Sequence, residues 1–203
     1  EATQPVASPP SQQAAAVSPF EEAQRSIRRK RAQDVLAELL EKQGQLDALE
    51  VASWGKADYD AALEIASIGD EYYRTQDFEL ATSSYSEGND ALAELLAGIP
   101  EVLAQILIDG DNALADGTSQ LAQDRYSLAL VLDPDSEVAQ IGLGRARTLD
   151  QVQLLMQQAE ELRGNSDLEA ARSLLQEIVS LDSYNVTAPL AIAEVDAEIR
   201  ENE

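Results

Sequence analysis

Gly69 is followed twelve residues later by Ala81 and sixteen residues later by Tyr85. Gly110 is followed at the same offsets by Ala122 and Tyr126, and Ala159 by Ala171 and Leu175. Nineteen residues on stand Gly88, Ala129 and Ile178, and twenty-four on from Gly110 and Ala159 stand Pro134 and Ser183. A small residue recurring in step with a bulky one marks one supersecondary unit used several times, and restricts the fold to stacked copies of it. Offsets of this kind suit paired helices: small side chains let two backbones approach, and the bulky one fills the wedge between neighbours.

The rest of the chain agrees with helices. Hydrophobic residues make up 44% and aromatics only 4%, so Ala and Leu must do most of the packing. Four of the seven prolines lie in the first twenty residues, which leaves few obligatory breaks beyond them. Val35, Leu36, Leu39, Leu40, Leu46 and Leu49 make an apolar stripe that predicts one long amphipathic helix over 21–53. Two helices are expected around "RTQDF". The first buries Leu63, Ile65 or Ala66, Gly69 and Tyr72; the second buries Phe78, Ala81, Tyr85, Leu92 and Leu95. Pro100 suits the first turn of the next helix, and Gly117 its C-terminal cap. Its partner, "SQLAQDRYSLALVL", stops at "DPDS". Residues 136–164 predict two helices, or one bent near Leu149–Asp150. A helix capped by Asp167 and broken by "DSYN" follows, then a last one from Val186 to Arg200. No alternation marks a strand, and the fold class is all-α.

The spacing resembles the tetratricopeptide repeat, a helix–turn–helix unit of about 34 residues. The unit at 103–136 carries the resemblance best, with Gly110, Ala122, Tyr126, Ala129 and Pro134; 62–95 keeps Gly69, Tyr72, Ala81 and Tyr85; 152–185 keeps Ala159 and Ala171. Unit starts lie 41 and 49 residues apart, so a longer second helix near "NDALAELLAGI" and an inserted helix, "SEVAQIGLGRARTL", are expected. The resemblance implies a repeat domain over 54–203, with the long helix before it and a capping helix after it. It also implies a concave face, formed by the first helix of each hairpin, that binds partner proteins. The residue after each small packing residue then points into that face: Asp70, Asp111 and Glu160, accompanied by Tyr73, Arg74, Leu107, Leu114, Met156 and Arg163. Three acids there favour a basic or amphipathic partner segment over a captured C-terminal carboxylate.

Chemistry narrows the reading further. With neither histidine nor cysteine, the commonest general base, the commonest metal ligand and every thiolate device are missing. "GLGRAR" (Gly142, Gly144) lacks the third glycine of a dinucleotide loop, and "DGDNALADG" has Ala113 at a calcium-ligand position. Neither Asp58/Asp60 nor Glu160/Glu161 stands out as an acid–base couple. No cofactor, metal or catalytic residue is expected. A formal charge of −24 disfavours nucleic acid. Within it, "RSIRRKR" gathers Arg25, Arg28, Arg29, Lys30 and Arg31, which reads either as a solvated helix face or as a contact to a polyanion or a membrane.

Residues 1–20, rich in Pro, Ala, Ser and Gln, predict a disordered tether of the kind that follows a membrane anchor in bacterial envelope proteins. The expected protein is therefore a non-catalytic, acidic interaction scaffold on the periplasmic side of a membrane. The alternatives are an accessory region of a larger anchored protein, whose enzymatic domain (of formylglycine-generating-enzyme type, for example) lies elsewhere, and a homodimer formed through 21–53.

Overall fold

The computed structural model describes residues 18–202. The tether expected over 1–20 lies outside the described residues up to position 17. Helices account for nearly all of the rest: α1 (Pro19–Ala48), α2 (Lys56–Arg74), α3 (Phe78–Ala97), α4 (Ile99–Ala115), α5 (Ser119–Leu132), α6 (Glu137–Gly164), α7 (Leu168–Leu181) and α8 (Thr187–Asn202). One 3-10 turn at Val51–Ser53 completes the set, and no strand occurs among the described residues. No single described helix is long and apolar enough to cross a membrane. The chain divides into two compact units, 18–46 with 55–95, and 47–54 with 96–202.

In the first unit α1 starts at Pro19, two residues before the sequence expectation. The cause is local. Ser18 Oγ accepts the Phe20 N–H at 3.2 Å, while Glu21 reaches back to the Ser18 N–H at 3.4 Å. "SPFE" is thus a capping box with proline at the first helical position. Ala32, Leu39 and Leu46, seven residues apart, are the buried line of α1; Leu40, counted in the expected stripe, is 53% exposed. The helix ends at Ala48, short of Ser53, because Glu50 takes a left-handed conformation, with φ of 52°. Ala32 packs with Phe78, Ala81 and Tyr85 of α3, and Gly88 of α3 comes close to the Ala62 carbonyl and Leu39. On α2 the buried positions are Tyr59, Ala62, Ala66 and Gly69.

In the second unit α4 packs on α5, α5 on α6, α6 on α7 and α7 on α8, while α4 also meets α6. Trp54 packs against the α4–α6 core and donates its indole N–H to the Leu49 carbonyl at 2.8 Å. Of the two arrangements expected for 136–164, the single helix is found, and α6 runs unbroken for 28 residues. Neither proline nor glycine interrupts it there, and each half has its own core. Ala139, Leu143 and Ala146 join Ala122, Tyr126 and Ala129 of α5; Val152, Leu155 and Ala159 join Leu175 and Ile178 of α7 and Val195 of α8. The expected inserted helix is the first half of α6.

Three helix ends share one geometry. After α2, α4 and α6, the residues Gln76, Gly117 and Ser166 adopt φ of 65°, 74° and 66°. In each case the following N–H reaches back five residues: Asp77 to Tyr72, Thr118 to Ala113, and Asp167 to Leu162. These are Schellman caps, each followed at once by the next helix. Only Gly117 has the residue such a backbone prefers; Gln76 and Ser166 carry a side chain where L-residues are strained.

Glycine is needed for another reason at Gly110 and Gly142. A Cβ on Gly110 would lie 2.9 Å from the Tyr126 ring, and one on Gly142 would strike the same ring from α6. Tyr126 is fully buried between them. Gly142→Ala therefore forces the ring against α4 and lowers stability by about 2–3 kcal/mol. Ser166→Gly and Gln76→Gly, at exposed caps, each raise it by about 1 kcal/mol. Urea unfolding followed by far-UV circular dichroism measures both signs.

Candidate partner-binding clefts

The residues expected to face a partner fall into three local groups. On α2, Asp70, Tyr73 and Arg74 lie within one turn of each other. Asp70 accepts the Tyr85 hydroxyl at 2.6 Å, and Arg74 Nε reaches the Asp70 carbonyl at 3.3 Å. The Tyr73 hydroxyl accepts from Arg29 Nε at 3.1 Å and Gln33 Nε2 at 2.9 Å, both on α1, and its ring meets Phe78 edge-on at 5.1 Å. Tyr73 is thereby committed to the packing of α1.

The second group forms a cleft of about 360 Å³ in the second unit. Asp111, Leu114 and Ala115 of α4 line one wall, Arg145, Leu149 and Val152 of α6 the other, and Asp182 and Asn185 close the end. Asp111 accepts the Tyr126 hydroxyl at 2.6 Å, the same bond in the same register as Asp70 to Tyr85. Arg145 Nε lies 3.2 and 3.1 Å from the two oxygens of Asp182, which is 7% exposed. Asp182 also accepts the Tyr184 N–H at 3.0 Å. The Asn185 side chain accepts from Thr187 N and Ala188 N, so it caps α8. Leu107 sits apart, half-buried on the α4–α6 core.

Met156, Glu160 and Arg163 form the third group, in a cleft of about 270 Å³ shared with Leu190, Ala191 and Glu194 of α8. Here the chain supplies its own partner. Arg163 pairs with Glu194 at 2.8 Å and with Glu198, and these bonds hold its guanidinium pKa above the ordinary value. The tyrosine–aspartate bond is absent from this hairpin, where Leu175 and Ala159 replace the aromatic and the glycine. The exchange is self-consistent, since a smaller partner leaves room for the alanine methyl.

Sequence reasoning missed Arg145 and Asp182. "DPDS" and "DSYN" do build the same turn: Asp133 and Asp182 follow their helices and accept the N–H two residues on, from Asp135 and Tyr184. That register was visible, but Arg145 lies 37 residues from its partner, and no local pattern marks it. No group of three His, Cys, Asp or Glu side chains suited to a metal occurs among the described residues.

Comparison with known proteins finds no matching protein-family model, curated protein or solved structure.

Burial first, then the bond to an aspartate, pushes the phenols of Tyr85 and Tyr126 well above their ordinary value of 10.0. A folded-state pKa above the unfolded one stabilises fully below pH 10 and is lost as pH rises toward the folded value. Stability should therefore fall above pH 10. A share of the 295 nm phenolate signal should appear only as helical dichroism is lost, and Tyr126→Phe should halve that share. Arg145→Ala leaves a buried carboxylate without its cation and should cost about 2 kcal/mol. That is less than for a fully buried pair, since the guanidinium is about a third exposed. Urea midpoints check this.

Proposed function

We propose that this chain is a non-catalytic, tetratricopeptide-like scaffold that holds a basic, amphipathic segment of a partner protein between α4 and α6. The repeat reading is supported by the recurrence of one local design. The Schellman caps at Gln76, Gly117 and Ser166 are followed two residues later by the second-helix starts Phe78, Ser119 and Leu168. These positions keep the 41- and 49-residue offsets of the packing residues.

One observation carries the binding reading, namely the cleft that gathers Asp111 and Leu114 with Leu149 and Val152. Asp182 is matched by Arg145, so Asp111 is the carboxylate left to meet a cation, and its bond to Tyr126 holds it in place. Leu114, Leu149 and Val152 offer an apolar strip beside it. A short segment with one Lys or Arg next to an aliphatic side chain fits both features. Such a contact is small, and its affinity rests on the desolvated charge and on pre-organisation. The setting we propose is the bacterial envelope, on the composition of residues 1–20.

The test is site-specific photocrosslinking. A photoreactive residue at Leu114 should capture one defined partner from native lysate, whereas one at Leu121, 46% exposed on α5, should not. Asp111→Asn keeps an acceptor for Tyr126 and removes the charge, so it should reduce capture roughly tenfold with the fold intact. Equal labelling from both positions would exclude this face.

A further inference from the structure

The first four turns of α1 carry a combination found nowhere else among the described residues. Five of the fourteen basic residues, Arg25, Arg28, Arg29, Lys30 and Arg31, stand within seven positions, against two carboxylates, Glu21 and Glu22, earlier in the helix. Within the same stretch Phe20 is 71% and Ile27 is 64% exposed. Seven residues separate these two, and Arg31 follows Ile27 by four, so all three share one stripe of the helix. That stripe lies about a third of a turn around the helix from the packed one, where Ala32 and Leu39 are buried. Lys30 flanks it on one side and Arg28 on the other.

The cations are only partly committed within the chain. Arg28 pairs with Glu79 at 3.4 Å and Lys30 with Asp34 at 2.9 Å, with half or more of every one of these side chains in water. Arg29 is held by the neutral Tyr73 hydroxyl. Arg25 and Arg31 have no hydrogen-bond or ion-pair partner among the described residues. Phe20, Arg25 and Arg28 also line a cleft of about 640 Å³ against the turn at Thr75–Glu79, so this end of α1 stands open.

We propose that the N-terminal end of α1 docks on the surface of an anionic phospholipid bilayer. Phe20 and Ile27 enter the boundary between headgroups and acyl chains, and Arg25, Arg28, Lys30 and Arg31 meet lipid phosphates. A helix that lies in an interface needs both parts: apolar side chains to bury and a cationic rim to find the negative surface. An anionic polymer such as a nucleic acid backbone would use the cations and leave Ile27 in water. The contact is confined to the start of the helix, because Asp34, Glu38 and Glu41 follow and are repelled by the same lipids. Screening over about 8 Å at physiological salt is what lets so acidic a chain keep one attractive end. Binding is reversible and salt-sensitive, and it uses none of the residues of the α4–α6 cleft.

Vesicle co-sedimentation of the full chain tests this, with phosphatidylglycerol–phosphatidylcholine vesicles compared with pure phosphatidylcholine at 0.05, 0.15 and 0.5 M salt. The expected result is partition onto the anionic vesicles alone, weakening as salt rises. Phe20→Ser with Ile27→Ser, and separately Arg25→Gln with Arg31→Gln, should each reduce partition by about tenfold or more. These positions are exposed, and unchanged circular dichroism certifies the fold of each variant. Absence of partition onto anionic vesicles overturns the proposal. So does partition insensitive to the Phe20/Ile27 change together with equal retention on a heparin column, which would assign the cations to an anionic polymer.

Discussion

The ring of Tyr126 is the piece around which the second unit is built. It leaves α5 and lies between two helices that can reach it only because Gly110 and Gly142 have no side chain there. Its hydroxyl then needs an acceptor, since a phenol buried without one loses the hydrogen bonds it had in water. Asp111, one residue past Gly110, supplies it at 2.6 Å. Glycine, aspartate and tyrosine are therefore one device: close approach, a wedge, and a polar anchor for the tip of the wedge. The first unit uses the same device with Gly69, Asp70 and Tyr85. The third hairpin does without it, and there the glycine, no longer needed, is an alanine.

This device links scaffold to surface. Asp111 faces a cleft while it holds a core tyrosine, so the carboxylate that the proposed function sets against a partner's cation is also pinned by the packing beneath it. A carboxylate fixed in this way has little rotamer freedom left to lose. Asp182 shows the complementary case. It is buried, satisfied by Arg145 and by a turn N–H, and serves to tie the end of α7 to α6. Two aspartates in one cleft thus have different roles, decided by what stands next to them.

Much of this was legible in the linear chain. The all-helical class, the hairpin register and the small packing residues follow from spacing, because a helix turns its offsets into faces. Gly117 and Asp167 announced a helix end and a helix start by residue type. The Schellman ends at Gln76 and Ser166 did not, since neither residue favours a left-handed backbone and only their spacing from Gly117 hints at it. The start of α1 at Pro19 was readable in "SPFE" but was masked by the proline-rich composition around it. Leu40 fits the apolar stripe and yet faces water, because the buried line of α1 follows the seven-residue spacing of Ala32, Leu39 and Leu46.

By itself the sequence determined the helices, their pairing offsets and the strongly acidic charge, all of which depend on residues near one another or on simple counts. Tertiary structure alone decided which polar side chains are free. It joined Arg145 to Asp182 and drew Arg163 onto Glu194 and Glu198 of α8, while Tyr73 went to α1. It left Asp111 at the edge of an open cleft, and Phe20 and Ile27 in water beside Arg25 and Arg31, which have no partner among the described residues. The reason is physical: a helix and its hairpin are specified by contacts within a few turns, whereas an ion pair between helices depends on where packing places two side chains remote in the chain.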